Sequence, residues 1–178
     1  MPVRINELAE RSGVSAATIK YYVREGLLRG GDRAGYNQVS YDESHLHRIR
    51  LLRALLGLGG LPVAAAKEVI AAVDDPERTV HSTLGEAQRA VSKTSVEQVL
   101  AVADELGHPD LLDMLEAYRA AARQLATLEV NWLGRTDDRD TLTERAVIGT
   151  ILGDALLTAA RREAQKQASA TRFTTRNR

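Results

Sequence analysis

The chain has no cysteine. Disulfides, thiolate metal sites and cysteine-based redox switching are therefore excluded. Aromatic residues are scarce, with one Trp, one Phe and five Tyr, so Leu, Val, Ile and Ala must build the core. Only four prolines interrupt Ala- and Leu-rich segments. That balance favours helix, because Ala and Leu lose little conformational freedom on entering one. No stretch approaches the roughly 20 apolar residues that span a membrane. Met1-Pro2-Val3-Arg4 does not open an apolar secretion signal. A cytoplasmic setting, away from membranes, is expected.

What is present is an ordinary globular composition, 178 residues with 44% hydrophobic and 27% charged, enough for one domain or two small ones. The net charge of zero conceals a division. Residues 1–60 hold nine Lys/Arg against six Asp/Glu, residues 61–160 hold nine against seventeen, and residues 161–178 hold six against one. A basic head suits contact with an anion, while the acidic middle serves another purpose.

The head carries the most specific pattern. Asn6-Glu7-Leu8-Ala9-Glu10-Arg11-Ser12 reads as a short helix, Gly13 as a sharp turn, and Ser15 as the cap of a second helix reaching Arg24. Ile19 and Val23 face inward on that helix, and Thr18, Lys20, Tyr21, Tyr22 and Arg24 supply hydroxyls and charge to the rest of its surface. Two short helices around a glycine turn form a helix-turn-helix, whose second helix is the candidate for the DNA major groove. Gly26 ends it. The glycines of Arg29–Gly35, followed by Tyr36, Val39 and Tyr41, predict two short strands, a wing. From it Arg29 and Arg33 would reach phosphates, and Asn37 and Gln38 would hydrogen-bond sugar, phosphate or base edges. Asp42 caps a helix to about Leu58, stopped by glycines, and Pro62 opens another through Val73.

Residues 5–73 resemble the DNA-binding domain of the MerR family of bacterial transcription regulators. The likeness rests on Ile5-Asn6-Glu7-Leu8-Ala9, Gly13-Val14-Ser15, Thr18-Ile19-Lys20-Tyr21-Tyr22, Gly26-Leu27-Leu28 and Tyr41-Asp42-Glu43, in that order and spacing. It implies a winged helix acting as a homodimer on near-palindromic double-stranded promoter DNA, with an effector distorting the site so that RNA polymerase engages. By the same resemblance, Lys20 and Tyr21 hold phosphate and base edges and Tyr22 supports them, with Ser15, Ala16, Thr18 and Arg24 in the groove helix. The wing adds Arg33, Tyr36, Asn37 and Gln38. Two positions depart from the family pattern: Asn37 follows Gly35-Tyr36 where arginine is usual, and Lys20 stands where arginine is commoner.

Beyond Val73 everything reads as helix. Asp75 caps a segment from Pro76 to about Val91, and capping boxes at Thr94-Ser95-Val96-Glu97 and Thr141-Leu142-Thr143-Glu144 open two more. Between these, residues 110–133 form one long helix. Leu111, Leu115, Tyr118, Ala122, Leu125 and Trp132 make a coiled-coil-like seam along it, broken by Glu129 where an apolar residue would fall. The seam either pairs with a second subunit, which two half-sites favour, or packs within its own bundle. Met114, Tyr118 and Trp132 are candidates to line an effector pocket. Gly149 and Gly153 mark either a tight helix crossing or room for a ligand. Asp137, Asp138, Asp140 and Glu144 make a solvated turn rather than a cation site, and the four histidines form no metal box.

The expected architecture is thus mainly α: a winged helix-turn-helix with a two-stranded wing at 1–73, an all-helical dimerisation and effector region at 76–168 with a long dimerisation-type helix, and a frayed basic tail at 169–178. No nucleophile–base pair, metal spacing or phosphate loop points to an enzyme or a cofactor. The remaining alternative for the helical half is a protein-interaction module with no small effector.

Overall fold

The computed structural model describes residues 3–35, 38–91 and 94–174, without side chains at 33–35, 38 and 173–174. The chain is mainly α, as its composition predicts. Helix α1 (Ile5–Ser12) buries Leu8 completely and stops at Gly13, whose φ of +66° suits glycine. Ser15 caps α2 (Ala16–Arg24), its hydroxyl accepting from the Thr18 N–H at 3.0 Å. Arg53 fastens the turn between these helices from a distance, donating to the Ser12 carbonyl at 2.9 Å.

The wing is an antiparallel pair, β1 (Asp32–Gly35) and β2 (Gln38–Ser40), with Asp32 opposite Ser40 and Arg33 opposite Val39. Its base is closed by a backbone bridge between Val3 and Tyr41. Asp42 then caps α3 (Glu43–Arg53) in a capping box completed by His45, not by a glutamate or glutamine. The helical rod of residues 43–58 is not uniform. Ala54–Leu58 winds as a π segment, with the Gly59 N–H reaching the Ala54 carbonyl at 2.8 Å.

Pro62 serves as the residue before α4 (Val63–Asp74), not as its first turn. Helix α5 (Val80–Val91) begins later than Pro76, because Thr79 accepts from the Ser82 N–H and takes the capping role. Ser95, paired with Gln98, caps α6 (Val96–Glu105). The long helix expected over 110–133 divides into a 3₁₀ stretch, Pro109–Met114, and α7 (Leu115–Leu133). Helix α8 (Arg139–Thr174) opens earlier than Thr141: Asp138 accepts from the Thr141 N–H at 2.9 Å. It also continues through residues 169–174, where the composition predicts fraying. The run Arg162-Glu163-Ala164-Gln165-Lys166-Gln167-Ala168 leading into that end consists of strong helix formers.

One apolar core joins the head to the helical half. Leu8, Ile19, Leu46, Ile49, Leu52, Leu55 and Val69 form its centre, and Ala87, Val147 and Ile151 of α5 and α8 complete the same cluster. Two polar links reinforce the join. Arg139 donates to the carbonyls of Asp75 and Arg78, both at 2.7 Å, and His47 lies 2.7 Å from the Glu144 carboxylate. Helices α7 and α8 run antiparallel beside one another, with Trp132 against Gly149, Glu129 against Gly153 and Tyr118 near Arg161. No residue of α7 is buried in the single chain.

Candidate nucleic-acid interface

At 100° per residue, eight of the nine residues of α2 divide into two arcs, with Thr18 at the border between them. Ile19 and Tyr22 turn into the core, with Val23 half-buried beside them. Ala16, Ala17, Lys20, Tyr21 and Arg24 occupy the opposite arc, where Lys20 and Arg24 are exposed one turn apart. Tyr22 is therefore not part of the polar surface assigned to it from its hydroxyl. It is 7% exposed, and burial raises its phenol pKa above the ordinary value. Any contribution to the outer face goes through Tyr21, whose ring lies 6.1 Å away.

The outer arc is preorganised. The Arg24 guanidinium lies 5.3 Å from the centre of the Tyr21 ring, a cation–π arrangement that limits both side chains. Ser15 and Thr18 share a hydroxyl contact at 2.8 Å at the helix start. Glu25, just past the helix, pairs with Lys67 at 3.0 Å and more loosely with Arg24 at 3.8 Å. The hydrogen bond and charge of Lys67 hold the Glu25 carboxyl below its usual pKa. Lys20 has no ion-pair partner among the described residues. Ala17 went unremarked in the sequence, yet it is exposed between the charged and aromatic members of the arc. Its lack of a long side chain leaves the helix backbone open to close approach. The 100° spacing alone could have identified it.

The wing is held from below. Arg29 donates to the Asp42 carboxylate at 2.9 Å and to the Ser44 hydroxyl at 2.8 Å, which ties the base of the wing to the start of α3. Hydrogen bonds from Ser44 and from His45 hold the Asp42 carboxyl far below the usual carboxylate range. His45 is almost wholly buried between Asp42 and the Gly30 carbonyl. The side chains of Arg33 and Gln38, and Tyr36 and Asn37 entirely, lie outside the described residues. Of the arginines on α3, Arg48 pairs with Asp74 and Arg53 with Ser12, while Arg50 stays exposed.

In the helical half, the three residues considered for an effector pocket separate. Trp132 lines a cavity of about 660 Å³ between α5, α7 and α8, whereas Met114 and Tyr118 are half-exposed toward the far end of α7. The seam residues divide in a similar way. Trp132 and Tyr118 meet α8 of the same chain, Leu111, Leu115 and Leu125 are part-buried, and Ala122 is exposed. The acidic turn is accounted for by capping at Asp138, whose carboxyl is held low by its hydrogen bond with Thr141. Among the described residues no three His, Asp or Glu converge on a metal-sized site. No helix among them is long and apolar enough to cross a membrane.

The chain is similar to known proteins. A family model described as MerR HTH family regulatory protein matches residues 3–73. The HTH-type transcriptional regulator HmrR of Rhizobium leguminosarum bv. viciae is 34% identical over 76 residues, a match covering 43% of this chain and 57% of that protein. Nodulation protein NolA of Bradyrhizobium elkanii is 39% identical over 56 residues, covering 32% of this chain and 26% of that one. The chain thus spans between a quarter and somewhat more than half of the length of these relatives. A solved structure of SCO5550 from Streptomyces coelicolor A3(2), assigned as a transcriptional regulator, reaches further. It is 30% identical with a TM-score of 0.62, covering 96% of this chain and 98% of that one.

Proposed function

Because the chain belongs to the MerR family of helix-turn-helix regulatory proteins, we propose that it is a dimeric regulator that places α2 of each subunit in the major groove of a near-palindromic promoter site. Residues 1–73 are the DNA-binding unit and residues 76–168 the dimerisation and effector region. Lys20 and Arg24 meet phosphates, Tyr21 and Ala16 face the groove, and Ser15 and Thr18 bind the backbone where α2 begins. The wing residues Arg33, Tyr36, Asn37 and Gln38 grip the flanking strand. Polymerase is engaged indirectly, through the shape of the bound DNA.

The observation that carries this reading is the outer arc of α2. It combines a lysine with no ion-pair partner among the described residues, an arginine that stacks on Tyr21 and pairs only with its neighbour Glu25, and small residues between them, whereas Arg11, Arg29, Arg48 and Arg53 bind carboxylates or carbonyls elsewhere in the chain. A second copy is supported by α7, which buries none of its residues in one chain and exposes Leu128 and Val130, while Leu156 and Leu157 of α8 are also exposed. Selection of bound sequences from a random DNA pool tests the proposal. A two-fold site should be enriched, and its enrichment should vanish with Lys20→Ala and Tyr21→Ala. Enrichment of single half-sites only, or binding untouched by both substitutions, would refute it.

The interaction-module reading of the helical half is favoured by one feature. Val96, Val99, Val102 and Leu106 make an exposed apolar stripe along α6. The cleft beside Trp132 favours a small effector, and we adopt that reading.

A further inference from the structure

Helix α8 does not stop where it seats on the head. Beyond Ile151, which lies against Gly59, it runs on for about 35 Å. Residues 156–172 are exposed throughout, so packing does not account for that length. From Ala155 to Thr174 the sequence has one carboxylate, Glu163, against Arg161, Arg162, Lys166 and Arg172. Arg176 and Arg178 follow, outside the described residues. Arg161 donates to the Tyr118 hydroxyl at 3.4 Å. Arg162 and Lys166 have no ion-pair partner among the described residues.

The helix presents these two charges in one direction. At 100° per residue, Ala155, Thr158, Arg162, Lys166 and Ser169 all lie within about 60° of Ile151, and Glu163 falls about 120° away. The side of α8 that seats on the head is therefore continued, past the head, by a basic and hydroxyl-bearing stripe. Arg162 and Leu58 line the same cleft, which marks where the overhang leaves the head. Leu58 is 74% exposed and ends the rod about one turn past Arg53. Arg53 in turn reaches the Ser12 carbonyl at 2.9 Å, and a Cβ on Gly13 would lie 3.2 Å from its guanidinium. The overhang thus leaves the head at the edge where Ser12 and Gly13 turn into α2.

We propose that this end of α8, through Arg162 and Lys166, is a second surface for the phosphate backbone of double-stranded DNA, beside the stretch bound by α2. Two exposed cations without competing carboxylates suit sequence-independent phosphate contacts, which position a protein on the duplex. A rival occupant is the 94–118 stretch of a second copy, which has six carboxylates and no lysine or arginine. That stretch also exposes Val96, Val99, Val102 and Leu106. A helix docked there would need an apolar stripe beside its charges. The basic side of α8 offers the hydroxyls of Thr158 and Ser169 instead, which suit phosphate oxygens. This contact goes beyond the function proposed above and rests on its DNA-binding part.

The full-length protein is titrated with a site selected from the random pool and, separately, with a duplex of unrelated sequence, each at several salt concentrations. Arg162→Gln combined with Lys166→Gln removes two charges and keeps helix-forming side chains. Arg123→Gln combined with Arg135→Gln removes two charges from exposed positions on and just after α7, as a control for net charge. The first variant should bind the selected site about tenfold more weakly. Its slope of log affinity against log salt should fall by about 1.8, or about 0.9 for each lost contact. The control should keep the wild-type slope. Shortening the duplex to the base pairs under α2 and the wing should erase the difference between wild type and the first variant. An unchanged slope, or a slope reduced equally in the control, would overturn the proposal. So would a weakened dimer with an unchanged slope, the result expected if this end docks on a second copy. A slope difference on the unrelated duplex without any selected two-fold site would remove the operator reading and keep the α8 contact. A selected site lost with Lys20→Ala, but with no effect of the α8 substitutions, would do the reverse.

Discussion

Ile151 of α8 lies directly against Gly59, so that a Cβ on Gly59 would come within 2.4 Å of an Ile151 methyl and 2.7 Å of the Leu55 carbonyl. Ile151 is 2% exposed and belongs to the core of the head. On α8 it lies between Gly149 and Gly153, which face Trp132 and Glu129. A single helical turn therefore touches both the DNA-binding unit and the cavity. A rigid helix with contacts on both sides is a physical route by which an occupied cavity could alter the head.

Gly59→Ala should destabilise the protein by about 1–3 kcal/mol, because both the methyl and the backbone oxygen resist displacement. Ile151→Ala should cost about 2–5 kcal/mol by leaving a cavity in the shared core. Chemical denaturation would read both. If head and helical half unfolded separately in either variant while wild type unfolds in one step, the shared core would be confirmed as their joint. Two separate transitions already in the wild type would contradict it.

Lys20→Ala should reduce the slope of log affinity against log salt by about 0.9, the signature of one lost phosphate contact. Tyr21→Phe should leave that slope unchanged. Measuring affinity for a selected site at several salt concentrations separates these outcomes, and an unchanged slope for Lys20→Ala would remove it from the interface.

Arg29→Ala should lower thermal stability by loosening the base of the wing, since both of its hydrogen-bond partners lie at the start of α3. Its salt slope should equal that of wild type. A reduced slope would mean that Arg29 abandons Asp42 for DNA.

Asp42 makes stability acid-sensitive. Its folded-state pKa is depressed by hydrogen bonds from Ser44 and His45. Its contribution is therefore full above the unfolded-state value near 4 and is lost as pH falls below it toward the folded value. Glu86, held low by Arg89, and Glu25, held low by Lys67, act in the same direction. Asp42→Asn keeps a good capping side chain but removes the charge, so its denaturation midpoint should vary less between pH 5 and 2.5 than that of wild type. Identical pH profiles would show that the Asp42 charge plays no part.

The head was legible because its instructions are local. Gly13, Ser15, Gly26 and Asp42 each act on the backbone within a few residues, so turn, cap and wing could be read in order. Tyr22 was misread for the opposite reason. Its hydroxyl suggests surface, but its place on the wheel beside Ile19 puts the ring in the core. The cavity depends on partners far apart in sequence. Glu129 interrupts an apolar seam, and Gly149 and Gly153 weaken a helix; each looks anomalous alone. Only the antiparallel placement of α7 and α8 brings the anomalies together, and no local pattern encodes that pairing. The same holds for Met114, which ends the 3₁₀ stretch, and Tyr118, in the first turn of α7; the length of α7 separates both from Trp132.

The π segment at Ala54–Leu58 has one consequence for the protein as a lineage of sequences. Such a winding accommodates one residue more than a regular helix of the same span. Deleting any one residue there would let the rod close as an ordinary α-helix, yet would rotate everything beyond it by about 100°. Gly59 would then point away from Ile151, and α8 would lose its seat. The relative orientation of the two halves thus depends on chain length as well as on the core side chain of Leu55. Substitutions at the exposed positions Gly57 and Leu58 should be tolerated far better than a deletion there.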